Sequence, residues 1–305
     1  MDGIAQVKGY SISLDGNIAV NYYVVLADEV LADENAEMVF TVPSGGSTYE
    51  VRIPVSSVTP DANGYYMFTC EVAAKEMTSK IAAQIVTSDK ESDVFEYTVK
   101  QYAEYIISEA EKVQQNADGI AGGGISNTAT PQQIAYVKAA PLVKAMLNYG
   151  ANAQLYFNHN TDILANATLD EVDKALVDNL DLSEYNMSAT GSEEGVAFYG
   201  GTLSLKSETA IKLYFMVEGD VSALTVTVNG EETELVKNGN LYELKISDIP
   251  AHLLGAMYEV KIGGLILNYG AFSYGQLAMG TDKTELKNAI KALYAYYEEA
   301  VYYAG

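Results

Sequence analysis

The 305 residues are 49% hydrophobic and 19% charged, a composition that folds, and the length favours two cores over one. Eighteen basic residues against 41 acidic ones leave a net charge of −23, with Arg52 the sole arginine, which excludes nucleic-acid binding and disfavours anionic membrane surfaces. The single cysteine, Cys70, excludes a disulfide framework and cysteine-based zinc sites, without fixing a compartment.

In chain order, Met1–Gly3 carries no charged or apolar leader pattern, so any export signal is expected to lie outside these residues. Ser11–Leu26 reads as two strands around Asp15-Gly16-Asn17, with Val20, Tyr22, Val24 and Leu26 alternating against Ala19, Asn21, Tyr23 and Val25. Further strands are predicted at Met38–Val42, Tyr49–Ile53, Tyr65–Val72 and Ile81–Thr87, each bounded by turn residues. Helical spacing follows at about 99–113 and 131–157, separated by the glycine-rich stretch NADGIAGGGISNTAT, read as a surface loop. Pro141 suits the first residue of a helix or a kink. Thr168-Leu169-Asp170-Glu171 has the pattern of a capping box, which predicts a short helix to about Leu180. Ser188–Gly195 reads as a linker. No run of about 18 apolar residues is present, so membrane insertion is not expected.

The second half repeats the order of the first. Offset by 191 residues, SISLDGNIAVNYYVVL lies over TLSLKSETAIKLYFMV, apolar position on apolar position. Asn63-Gly64 then corresponds to Asn238-Gly239, and Cys70 to Ile246. In the last helices, VKAMLNYGANAQLYF lies over IKALYAYYEEAVYYA at an offset of 147. The pentapeptide LNYGA occurs at Leu147–Ala151 and Leu267–Ala271, yet the first aligns within a final helix and the second with the strand-to-helix passage around Tyr97. The pentapeptide's recurrence is chance, and the duplication around it is independent of it.

Catalytic patterns are sparse. His159 and His252, the only histidines, are read as surface or loop residues; neither a close histidine pair nor HExxH is present. GxSxG is absent, and AGGGISNT lacks the lysine and spacing of a phosphate loop. Cys70 lies on an alternating strand and reads as a small core residue. Asp89–Asp93 and Asp170–Asp181 lack the EF-hand pattern and read as solvated acidic faces. No cofactor, metal ligand or catalytic residue is assigned. Twenty-four tyrosines are the unusual feature. Leu142, Met146, Tyr149, Ala153 and Tyr156 form one helical stripe, matched by Ala289, Leu293, Tyr296, Ala300 and Tyr303. The tyrosines of the final helix span most of its circumference, so some are expected to be exposed. Tyr294, Tyr296, Tyr302 and Tyr303 are the candidate contact surface, with packing against the rest of the protein as the alternative.

The stretches YTVKQYAEYIIS, LVKAMLNYGANAQLYFNHNTDILAN and GVAFYGGTLSLKSETAIKLYF resemble a two-part module of secreted, multi-domain cell-surface proteins of Gram-positive gut Clostridia, over nearly the whole chain and in the same order. The resemblance implies an extracellular, surface-associated module and carries over no site residue. The expected fold class is α+β, in two tandem copies, each an antiparallel β-sandwich-like region of six or seven strands followed by packed helices. The first copy is placed at 1–188, with β structure about 8–90, helices about 99–158 and an acidic connection 166–188. The second is placed at 189–305, with β structure about 196–268 and helices about 271–304. The expected function is non-catalytic adhesion or ligand binding, the partner being a host or dietary glycan or a surface protein. A structural spacer is the alternative, and a polysaccharide-acting enzyme the third reading.

Overall fold

A computed structural model describes residues 3–14, 17–118, 129–205 and 208–305. The fold is mixed α+β, with antiparallel sheets, and divides into two compact units, Met1–Lys174 and Ala175–Gly305.

The first unit begins with β1 (Ala5–Ser13) and β2 (Ala19–Leu26), a short helix α1 (Asp28–Leu31), then β3 (Glu37–Ser44) and β4 (Ser47–Pro54). It continues with β5 (Tyr66–Glu71), β6 (Ile81–Val86), β7 (Phe95–Tyr97), α2 (Val99–Asp118) and α3 (Pro131–Phe157). Two sheets result, ordered β1-β2-β5 and β4-β3-β6-β7. The period-2 pattern of β2 buries Val20, Tyr22 and Val24, while β3 buries Met38, Phe40 and Val42. These faces meet: the Tyr22 and Phe40 rings lie 5.3 Å apart, Tyr10 stacks on Tyr97 at 3.8 Å, and the Tyr22 hydroxyl donates to the Ile81 carbonyl at 2.9 Å. The hydroxyl bond lets a polar atom sit in the core without an unmet partner.

Helix α3 starts at a capping box in which Thr130 and Gln133 exchange side-chain-to-backbone bonds, with Pro131 as first helical residue. Pro141 lies inside this helix rather than at its start. The helix ends where Asn158 turns left-handed at φ 50°. Gly150 faces the 3-10 turn Ala74–Glu76, and a Cβ there would come 2.5 Å from Met77 Sδ and 3.2 Å from the Ala74 carbonyl. The glycine therefore sets how closely helix and turn approach.

The second unit contains β8 (Ser188–Gly191), β9 (Val196–Ser204), β10 (Ala210–Val217), β11 (Val226–Val228), β12 (Glu231–Thr233), β13 (Val236–Asn238), β14 (Leu241–Ile246), β15 (Met257–Ile262), β16 (Leu265–Gly270), α4 (Ala271–Met279) and α5 (Thr284–Ala304). Its sheets are ordered β13-β14-β10-β9 and β12-β11-β15-β16-β8. Phe198 links them, 5.6 Å from the Phe215 ring and 6.2 Å from that of Tyr269. Phe272 on α4 packs against Tyr294 and Tyr297 of α5 and against Tyr185.

Several sequence expectations change. Ser188–Gly191 is not a linker but an edge strand, paired with β16 from Asn268 to Leu265. Leu182 and Tyr185 are buried in the second unit, so the units divide at 174/175, ahead of the expected 188/189. The stretch 168–180 forms turns, not a helix. Asp170 caps the amides of Val172 and Asp173, but a single Lys174-to-Asp170 backbone bond closes one turn and nothing apolar covers Val172. Strand β7, three residues long, gave no periodic signal. The predicted turn at Asp15-Gly16 and most of the glycine-rich stretch lie outside the described residues. Leu147–Ala151 is helical and Leu267–Gly270 is strand, so the two LNYGA copies occupy different structures.

Candidate functional site

The four candidate tyrosines do not share one surface. Tyr296 is only 4% exposed, because it falls on the buried stripe with Ala289, Leu293 and Ala300, and burial pushes its hydroxyl pKa up. An exposed role for Tyr296 is thereby corrected. Tyr294 is half-buried, its ring 5.1 Å from Phe272 and 5.7 Å from Tyr297. Tyr302 and Tyr303, at 81% and 50% exposure, are the pair open to solvent.

A second concentration of chemistry lies in the first unit, at the tip of the β3–β4 hairpin. Ser44 and Ser47 close a two-residue turn, Gly45-Gly46, with φ of 58° and 86°, values that glycine adopts without strain. Beneath the turn runs VAAKEM (Val72–Met77), every residue of which is buried. Lys75 and Glu76 form an ion pair there at 2.6 Å, their side chains 6% and 4% exposed. Glu76 also accepts from Ser44 Oγ at 2.6 Å, from Tyr49 Oη at 3.3 Å and from the Ala73 amide at 3.2 Å. Lys75 Nζ donates to Ser44 Oγ at 3.3 Å. A buried ion pair is tolerated when such bonds satisfy its remaining lone pairs and protons.

The wall opposite the hairpin is the segment that follows α3. Gln154, fully buried, donates to the carbonyls of Asn160 and Ile163 and to Thr78 Oγ1, and accepts from the Ala165 amide. One side chain thus fixes the chain from 158 to 165. It places His159 inward, 5% exposed, between outward-facing Asn158 and Asn160. His159 Nε2 is buried without a hydrogen-bond partner. Together the Pro43–Thr48 turn, His159 and Asn160 line a cleft of about 380 Å³.

Electrostatics fix the protonation of the cluster. Burial raises the Glu76 pKa, but the hydrogen bonds from Lys75 and Ser44, the Lys75 charge and the Ala73 amide outweigh it and hold the carboxyl below its ordinary value. Burial lowers the His159 pKa, the Lys75 charge lowers it further and Glu76 opposes, so the imidazole is neutral near pH 7. Serine beside lysine suggests nucleophilic chemistry, which needs a free base. Here Ser44 gives its proton to the Glu76 hydrogen bond, Lys75 is held by the same carboxylate, and that carboxylate is a weakened base. The arrangement is a fixed polar floor.

Sequence reasoning did not single out Ser44, Tyr49, Lys75 or Glu76, and took His159 for a surface or loop residue. The available signal was a Lys-Glu pair inside an apolar run. Cys70 is buried opposite Val20, with its thiol pushed up to about 12, chiefly by burial. His252 is half-buried in the 3-10 turn Ala251–Leu253. Among the described residues no group of three His, Cys, Asp or Glu side chains is placed to hold a metal ion. Among the described residues no helix is long and apolar enough to cross a membrane. No protein-family model and no curated protein matches the chain.

Proposed function

We propose that the chain is a non-catalytic binding module of an extracellular bacterial surface protein, built of two tandem copies of one α+β unit. The duplication is supported by topology. β1-β2-β5 matches β9-β10-β14, and β4-β3-β6-β7 matches β12-β11-β15-β16, with two helices after each. The bulged residues Lys8 and Tyr199 sit at the 191-residue offset read from the sequence. Val20 opposes Cys70 as Ile211 opposes Ile246. Helices α2 and α4 begin two residues after Tyr97 and Tyr269. Strands β8 and β13 are additions of the second unit.

The observation that carries a binding role is a difference between the units. The 3-10 turn Ala74–Glu76 of the first unit buries an ion pair beneath a glycine-turn cleft. The matching turn Ala251–Leu253 of the second unit has no such pair, with His252 half-buried and Leu253 exposed. The same topology thus forms without the polar cluster, so the fold does not demand it. A buried ion pair adds little net stability over apolar packing, which supports retention for recognition. The surface location rests on the resemblance of the sequence stretches quoted above.

The test is a glycan and mucin array probed with the whole chain, in calcium and in chelator. Saturable binding is the expected result, and Tyr302→Ala/Tyr303→Ala separates a contribution of the exposed tyrosines from that of the cleft. Silence on glycans and on a panel of surface proteins leaves the spacer role instead.

A further inference from the structure

We infer that the cleft over His159 is a subsite for an uncharged polyhydroxyl ligand, one sugar ring of a glycan, with the imidazole as its buried anchor. This deepens the binding-module reading and rests on it. The lining decides the ligand class. Thr48 contributes a hydroxyl, Asn160 an amide and His159 a neutral imidazole. Ser44 and Ser47 offer only spare lone pairs, because their protons go to Glu76 and to the Ser44 carbonyl. No charged side chain is among the described residues that line the cleft. Beneath it Lys75 and Glu76 neutralise each other at 2.6 Å. An anionic ligand would meet no free cation in the lining and a net charge of −23 in the protein around it. A cationic one would meet no free carboxylate there.

Vicinal hydroxyls both donate and accept, so they complement serine, threonine and amide groups and either tautomer of a neutral histidine. The volume, about 380 Å³, falls within the range of small-ligand pockets. Gly45 and Gly46 present bare backbone at the rim, with open space where a Cβ would stand. His159 lines the cleft while its Nε2 is buried, so the ring must turn for an entering hydroxyl to reach that nitrogen. That contact supplies the partner the nitrogen lacks, and leaving a buried polar atom unmet is what the protein otherwise bears. Without an aromatic platform in the lining, the expected affinity for a single sugar is weak, about millimolar.

Two histidines in the whole chain make the test clean. Imidazole nitrogen resonances of the 15N-labelled full chain are followed while glucose, galactose, N-acetylglucosamine, phosphate and acetate are titrated in turn. The expected result is a saturable shift of His159 with at least one neutral sugar, His252 unmoved, and no saturable response to phosphate or acetate. His159→Phe should lose sugar binding at least tenfold, His159→Gln should retain part of it, and Thr48→Val, at an exposed lining position, should weaken it severalfold without disturbing the buried cluster. A response to the anions alone overturns the ligand class. No response of His159 to any probe overturns the subsite; if the array still binds, the module reading stands without it. Silence of His159, of the array and of the surface-protein panel overturns both.

Discussion

At the scale of single residues, the Lys75–Glu76 pair has an asymmetric energetic role. Each charge is buried and tolerated only because the other is present, so removing one leaves an uncompensated ion. Lys75→Met and Glu76→Gln should each cost about 3–5 kcal/mol of stability. Removing both as Lys75→Met/Glu76→Leu should cost much less than the sum, because the double variant leaves no buried charge. Chemical denaturation of the three variants and the parent measures the coupling; additive losses would show that the two charges do not depend on each other. The cluster was hardly legible in the sequence. Lys75 and Glu76 are adjacent, but their burial is decided by Ser44 and Tyr49 on the β3–β4 hairpin and by the 158–165 segment after α3. None of those partners is within the reach of a local pattern. His159 in particular looks like a loop residue because it is one. Only the Gln154 bonds, which draw the loop inward, reveal it as buried.

At the scale of elements, strand positions were readable wherever one face is buried and the other is not. Val20, Tyr22 and Val24 announced β2 by their apolar alternation, although Ala19 and Asn21 on the opposite face are buried as well. α3 was readable to its ends from Thr130-Pro131 and from its apolar arc. What failed were elements whose identity depends on a distant partner: β7 exists only as the neighbour of β6, and β8 only as that of β16. A sharper consequence lies in β9, where two successive glycines face opposite sides of the sheet. At Gly201 a Cβ would stand 2.5 Å from Cζ of Tyr269, a ring fully buried between the sheets, whereas at Gly200 nothing lies within 4 Å. Gly201→Ala should therefore destabilise the protein by about 1–3 kcal/mol through overpacking. Gly200→Ala should stay within about 0.5 kcal/mol of the parent. Equal thermal shifts for the two would refute the close approach of strand and ring.

For the whole molecule, the two units each own a core, and the question is where the chain between them is open. The sequence placed the joint at 188/189 because ATGSEEG looks like a linker. Those turn residues instead end an edge strand and begin a hairpin: Glu193 pairs with Val196, and its carboxylate accepts from the Gly264 amide. Upstream, Leu182 and Tyr185 are buried, and Ser273 Oγ donates to the Tyr185 carbonyl at 2.6 Å, so that stretch is held as well. The segment around Lys174 is held more lightly, by an Asn148 side-chain bond to the Lys174 carbonyl, a Lys144–Asp173 ion pair and a Lys291 bond to the Asp178 carbonyl. Val172 is 82% exposed, Val177 is exposed, and regular structure is absent from Glu171 to Leu182. Proteolysis proceeds where the backbone is exposed and weakly hydrogen-bonded. Brief trypsin treatment should therefore cut after Lys174, apart from any cleavage in stretches outside the described residues. It should yield a resistant second fragment that begins at Ala175 and contains β8. Mass spectrometry of that fragment locates the joint directly. Survival of the bond after Lys174 would mean that this segment is held as firmly as the stretches on either side of it, and that the joint lies elsewhere.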